Sequence, residues 1–268
     1  MDSYNILVIN NFQDEEISKE IDWLIKDIPN ALKINEPRGG LSIARNTGVE
    51  NCSTEWVGYI DDDSRVPPEY ITKALEIIKS GKYDCFGGHI ETWWHYDRPR
   101  WLDKEYGTKP LLSTNEIILK EGFNWGGNIF FRRNSLVEVG GFDEAVGMKM
   151  HHIGYSAENR VQINLRKRNY KVGYVPSLVN EHLVANHKLK LLWHVKAAFV
   201  EGRDAKPVFP NQYSNRALLK DVIRIPKQFA VSFFLWIYKP EYYWENFFLD
   251  VTKNISRWIG KVYALIKS

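Results

Sequence analysis

The chain has 268 residues, a formal net charge of +3, 44% apolar and 26% charged residues, the balance of a soluble globular protein with a sizeable core. That excludes whole-chain disorder, collagen and a disulfide scaffold. It has only two cysteines, Cys52 and Cys85, without metal-type spacing, which excludes a zinc module and fits a reducing compartment.

The opening segment MDSYNILVINNFQDEE lacks a basic stretch, a long apolar core and a small-residue cleavage site, so no secretory signal is expected and a cytoplasmic location follows. Tyr4 to Ile9 is an apolar run of buried-strand type. Ile17, Ile21, Leu24, Ile25 and Ile28 share one helix face, with Asp14, Glu15 and Glu16 at its favourable N-terminal end. Ala31 to Ile34 predicts a second strand, Pro37 to Gly40 a turn, and Leu41 to Val49 a helix. Trp56 to Ile60 predicts a third strand, running straight into Asp61, Asp62 and Asp63. Pro67 and Pro68 open a helix to about Ser80. Tyr83 to Phe86 predicts a fourth strand, turning at Gly87-Gly88 into His89 to Trp93. Trp94 to Glu121 reads as a long irregular segment, of the kind that is usually functional or mobile. Asn128 to Arg132 predicts a strand, Gly140-Gly141 a tight turn with Phe142 as an aromatic plug, and His151-His152 a loop. Ala157 to Arg168 predicts a helix, and Tyr170 to Val175 a strand ending at Pro176. Strands alternating with helices predict an α/β domain with a mostly parallel sheet flanked by helices.

Charge divides the chain near residue 186. Residues 1–186 carry 22 basic and 27 acidic residues, net −5; residues 187–268 carry 14 and 6, net +8, with 16 of the 37 aromatics. The first part (1–186) reads as the catalytic domain and the second (187–268) as a basic, aromatic helical extension. In the last helix Trp244, Phe247, Phe248, Val251, Ile255, Trp258, Ile259, Val262 and Ile266 share one face, and Asp250, Lys253, Asn254, Arg257 and Lys261 the other. Such a helix packs on the domain or lies in a membrane interface. Nucleic acid, an anionic membrane or a partner helix each match that composition, and so does a plain helix interface with solvated basic groups. The longest apolar run, Ala230 to Tyr238, is too short to span a bilayer.

Ligands of a parallel sheet sit beyond the carboxyl ends of its strands, where the Asp61–Asp63 triplet falls. Adjacent carboxylates repel, and a hard divalent cation relieves that repulsion. Alternation along an extended segment puts Asp61 and Asp63 on one side and Asp62 on the other. Gly126 and Gly127 allow a ligand close to the backbone. Taken singly, the acidic triplet also fits a solvated turn, Glu158 an ordinary acid near a helix start, and His182 a surface residue.

Three stretches in order, GGLSIARNTGVENCSTEWVGYIDDDSRVPPEY, NWGGNIFFRRNSLVEVGGFDE and AENRVQINLRKRNYKVGYVPSLVNEH, resemble the family 2 nucleotide-sugar glycosyltransferases, inverting enzymes of GT-A fold, over roughly residues 4–203. The resemblance implies a donor site from Asn10, Arg38, the Ala44-Arg45-Asn46 segment and Asp62. It implies a DxD metal motif at Asp61 and Asp63, with His182 reaching the metal or the diphosphate, and Mg²⁺ or Mn²⁺ as cofactor. It implies an acceptor and donor-sugar wall at Trp125, Gly126, Gly127 and Asn128, and Glu158 as catalytic base. The partners implied are a UDP-sugar or similar donor and a glycan or lipid-linked acceptor, not nucleic acid, with an anionic inner-membrane surface for the extension. The chain departs from the family pattern in three places. The strand and helix that ordinarily precede Ile6–Ile9 are missing, Asn10 stands where an Asp usually meets the base, and Ser156-Ala157 replaces Gly-Glu. These departures frame a competing expectation, a weak relative that binds nucleotide or glycan without turnover. A two-carboxylate glycoside hydrolase fits the basic donor side poorly.

Overall fold

The structure, a computed structural model, describes residues 4–145, 154 and 157–267; His151-His152 and Ser156 lie outside them. Its residues group into two compact units, one of Met1–Ile90, Pro110–His152 and Ala157–Asn180, the other of Glu91–Lys109, Ile153–Ser156 and Glu181–Ser268. The segment 91–109 thus belongs with the C-terminal helices.

The first unit opens with strand β1 (Ile6–Asn10), helix α1 (Glu15–Ile25) and strand β2 (Ala31–Asn35). Asp14 caps α1 by accepting from the amides of Glu16 at 2.8 Å and Ile17 at 3.0 Å. β1 and β2 pair in parallel as a two-stranded sheet of their own. Helix α2 (Leu41–Glu50) leads to strand β3 (Trp56–Ile60), the two-residue β4 (Ser64–Arg65), helix α3 (Tyr70–Lys79) and strand β5 (Cys85–Trp93). Then follow the short β6 (Ile117–Ile118), strand β7 (Asn128–Arg132), helices α4 (Arg133–Glu138) and α5 (Ala157–Lys167), and the long strand β8 (Val172–Leu183).

The main sheet has the order β3-β7-β5-β8-β4, with β6 on β8. It is mixed rather than mostly parallel, because β7 enters between β3 and β5 and runs antiparallel to both. Its core holds the wholly buried Cys85, Ile129, Phe131, Leu136, Leu165 and Tyr174, and Phe86 stacks on Phe130 at 5.0 Å.

Two predicted strand ends are corrected. β5 runs straight through Gly87-Gly88, because the bare Gly88 admits the Leu178 carbonyl of β8; a Cβ there would sit 1.8 Å from it. β8 continues through Pro176 to Leu183, carrying the chain past the predicted stop to His182. The Gly140-Gly141 turn forms as expected, both residues having positive φ, with Phe142 buried behind it.

The second unit carries helices α6 (Leu191–Asp204), α7 (Asn215–Tyr238) and α8 (Trp244–Ile266). Its apolar cluster gathers Trp101, Leu102 and Leu249. α8 packs on α6 and α7, approaching α6 so closely at Gly260 that a Cβ would lie 2.0 Å from the Phe199 carbonyl. Part of its polar face turns towards the neighbouring helices. Lys261 pairs with Asp221 of α7 at 2.8 Å and Arg257 with Glu201 of α6 at 2.8 Å. Asp250 accepts from Tyr242 at 2.7 Å and from Ser232 of α7 at 3.4 Å.

His194 of α6 is buried among Trp101, Tyr106 and Trp193, with Nε2 2.8 Å from the Lys188 carbonyl. Burial lowers its pKa to about 4, against the smaller opposing pull of that carbonyl. Between the ordinary value and about 4 the unfolded chain binds a proton here and the folded chain does not. Acidification from neutral through that window therefore destabilises the fold, by up to about 3 kcal/mol. Thermal unfolding followed across that window should show this loss, and His194→Gln should flatten the pH slope; equal slopes in both proteins would refute the assignment.

Candidate active site

The site begins with strand register. β3 and β7 pair so that Ile60 faces Asn128, which carries Asp61 just past the strand end, alongside Gly127. The two approach so closely that a Cβ on Gly127 would lie 2.3 Å from Asp61 Oδ2. The chain then turns, the Ser64 amide donating to the Asp61 carbonyl at 3.0 Å. Asp61 and Asp63 are half-buried and Asp62 is exposed. Asp61, Asp63 and His182 near the end of β8 each offer one ligand atom, all within 4.8 Å of one another. Two carboxylate oxygens and one imidazole nitrogen suit Mn²⁺ well and Mg²⁺ adequately, and leave room for phosphate oxygens.

Arg45, on α2 and only 6% exposed, joins this cluster to Glu158. Its Nη2 lies 3.4 Å from Asp61 Oδ1 and its Nη1 3.7 Å from Glu158 Oε2. Gly126 makes room for it, since a Cβ there would meet Nη2 at 2.5 Å. Phe142 supports the guanidinium, the two being 5.4 Å apart. Asn46 fixes Phe142 by donating to its carbonyl at 2.8 Å and accepting from its amide at 2.9 Å. Arg45 Nη1 is buried and makes no hydrogen bond among the described residues, meeting Glu158 at ion-pair distance only.

Glu158 stands in the first turn of α5. One turn on, the wholly buried Gln162 accepts from the Asn124 amide at 2.8 Å and donates to the Asn124 carbonyl at 3.0 Å. Asn124 donates to the Gly173 carbonyl at 2.9 Å. Asn180 donates to the Gly127 carbonyl at 2.8 Å. These bonds tie α5, the 124–127 loop and β8 together. Residue types gave no hint of Gln162, Asn124 or Asn180 as positioning groups, since amides this common acquire meaning only through their partners.

The remaining candidates stand elsewhere. Asn128 is fully buried, donating to the carbonyls of His89 and Leu178 at 2.9 Å each and accepting from Tyr70 at 2.7 Å. Its side-chain amide is thus hydrogen-bonded within the protein. Trp125 is half-buried. Asn10, at the end of β1, bonds Asn35 at 3.2 Å. Arg38 grips the buried Glu36 through two side-chain bonds of 2.9 Å. That guanidinium, helped by the Thr47 hydroxyl, holds the Glu36 carboxyl down at about 2.

Residues 1–140 match the family model described as glycosyl transferase family 2. The chain belongs to that family. Among curated family members it is 23% identical to a glucosyl-dolichyl phosphate glucuronosyltransferase of Haloferax volcanii, over 82% of this chain and 73% of that one. It is also 23% identical to the succinoglycan biosynthesis protein ExoM of Rhizobium meliloti, over 72% and 70%. A structure of the mannosyltransferase PcManGT from Pyrobaculum calidifontis, in complex with GDP-Man and Mn²⁺, is similar over 98% of this chain and 78% of that one, with a TM-score of 0.60 and 15% identity. GalNAc-T7 with UDP, GalNAc and Mn²⁺ is similar over 74% of this chain and 41% of that one, with a TM-score of 0.52 and 16% identity. The family 2 chain is therefore a glycosyltransferase with a GT-A fold and a C-terminal helical region.

Within this family 2 site, Gly127→Ala is expected to push Asp61 aside and weaken divalent-cation affinity roughly 10- to 100-fold while the fold persists. Mn²⁺ titration followed by thermal shift checks this; unchanged affinity would show that the close approach is dispensable.

Proposed function

We propose that this chain transfers a sugar from a nucleoside-diphosphate donor to a hydroxyl of a glycan or lipid-linked acceptor, in a single inverting displacement, in cell-surface polysaccharide synthesis. The observation that carries this reading is the single buried guanidinium of Arg45 set between Asp61 of the Asp-Asp-His cluster and Glu158. Asp61, Asp63 and His182 would hold the divalent cation, Mn²⁺ or Mg²⁺. A cation held there would neutralise charge on the departing diphosphate.

The chain's own residues supply the rest. Glu158 takes the proton of the acceptor hydroxyl as general base. Arg45 orients Glu158 through their ion pair, and its guanidinium sets a fixed positive charge where negative charge develops. In this reading the exposed Asp62 and the half-buried Trp125 would meet donor ribose and sugar, and Arg38 would line the nucleotide side. The extension, residues 187–268, serves as a peripheral attachment to an anionic membrane surface, suited to a lipid-linked acceptor. Among the described residues no helix is long and apolar enough to cross a membrane.

Calorimetry with UDP and GDP, each with and without Mn²⁺, tests the reading. Mn²⁺-dependent binding of one nucleotide, followed by release of that nucleotide from its sugar donor in the presence of acceptor, is expected. Absence of any nucleotide binding would end the proposal. Binding with no turnover of any donor would favour a relative that binds without transferring.

A further inference from the structure

Helix α7 meets α8 through polar groups and through aromatic ones, Phe229, Phe233 and Trp236 around Phe247, and carries a further apolar stripe that faces outward. On α7, Asp221, Gln228 and Ser232 turn towards α8. Asp221 pairs with Lys261, and Gln228 donates to Ser232, which donates to Asp250. Ser232 is wholly buried. The opposite side of α7 carries Leu219, Ile223, Phe234 and Ile237, exposed by 60%, 64%, 58% and 53%. Their spacing is helical, so they form one continuous stripe. With its aromatic face already packed on α8, α7 leaves this second stripe uncovered, and large apolar patches left facing out mark an interaction surface.

Charge identifies the occupant. Arg216, Lys220, Arg224 and Lys227, spaced 4, 4 and 3, run along the border of the stripe and are exposed. Arg224 and Lys227 also line a cavity of about 380 Å³ between α7 and α8, with Trp258, Arg257 and Lys261; Asp221 lines it too and pairs with Lys261, and Arg257 pairs with Glu201, so Arg224 and Lys227 carry its excess positive charge. The Trp258 indole N–H is buried without a partner among the described residues. A second copy would set this basic border against its own like charges. An anionic bilayer matches both parts, since acyl chains take the stripe and phosphates take the border and the cavity.

We infer that α7 lies in the plane of an anionic bilayer surface, its Leu219–Ile237 stripe in the acyl boundary and the Arg224/Lys227 cavity on a lipid phosphate. This deepens, and rests on, the membrane-surface reading above, and it assigns the contact to α7 rather than to the last helix.

Flotation of the full chain tests it without any turnover, so its failure leaves the transferase reading standing, and loss of nucleotide binding leaves this inference standing. The chain is expected to float with phosphatidylcholine vesicles containing phosphatidylglycerol, and not with phosphatidylcholine alone. The triple variant Ile223→Ser, Phe234→Ser, Ile237→Ser removes only exposed side chains. It should keep its melting temperature and float roughly tenfold less or worse. Arg224→Gln with Lys227→Gln should lose the dependence on anionic lipid. Flotation of the triple variant at the wild-type level would overturn the inference, as would absence of wild-type flotation. A wild-type dimer that the triple variant converts to monomer would assign the stripe to a second copy instead. Stabilisation of the wild type, but not the double variant, by inorganic pyrophosphate in vesicle-free buffer would assign the cavity to a soluble phosphate and overturn the headgroup.

Discussion

Glu158→Gln is expected to lower kcat roughly a thousandfold, with nucleotide affinity changed by less than about twofold, since uniform binding is not what the carboxylate supplies. The amide keeps the size of the side chain and its place in the first turn of α5, but it cannot accept a proton. It also leaves Arg45 with Asp61 as its remaining ionic partner at 3.4 Å, so the guanidinium stays in place. Measuring nucleoside-diphosphate release against donor concentration separates kcat from KM. A variant with wild-type kcat would remove Glu158 from the chemistry. A variant that loses affinity and kcat together would make it a structural prop for Arg45.

Asp63→Ala carries the second large effect. It deletes one of three ligand atoms that lie within 4.8 Å of one another, leaving one carboxylate and one imidazole. Divalent-cation-dependent nucleotide binding should fall by about two orders of magnitude or more. Asp62→Ala, at the exposed neighbour, should leave cation affinity intact and act on the donor alone. Calorimetry of nucleoside diphosphate with Mn²⁺ distinguishes the two. Equal losses in both variants would mean that the triplet acts as a diffuse acidic patch, and an unaffected Asp63→Ala would remove it from the cation site.

Much of this site was legible because its signals are local. WVGYI followed by three aspartates states a strand and its end; Asp62 is exposed between half-buried neighbours as alternation expects, although it sits on a turn closed between Asp61 and Ser64 rather than on extended chain. Gly126-Gly127 signalled close approach, although what approaches includes Arg45 and Asp61 from within the chain. The rest depended on partners far along the sequence. Gly87-Gly88 reads as a turn until the Leu178 carbonyl is known to need the space. Asn128 reads as a ligand contact until Tyr70, His89 and Leu178 are found to consume its amide. The Asn124–Gln162 clamp joins residues 38 apart. In the last helices, periodicity sorts residues into faces but does not say which face turns inward. There the contacts between helices decide: Phe247 among Phe229, Phe233 and Trp236, and the pairs Lys261 with Asp221 and Arg257 with Glu201.

Arg45 gives the site a particular economy. One guanidinium lies against both Asp61 and Glu158, so on the proposed mechanism bond breaking and bond making would hang from a single strut. Damage to that strut, or to Phe142 and Asn46 beneath it, should register at both ends of the reaction at once. Improving one half of the transfer by moving this arginine would come at the expense of the other.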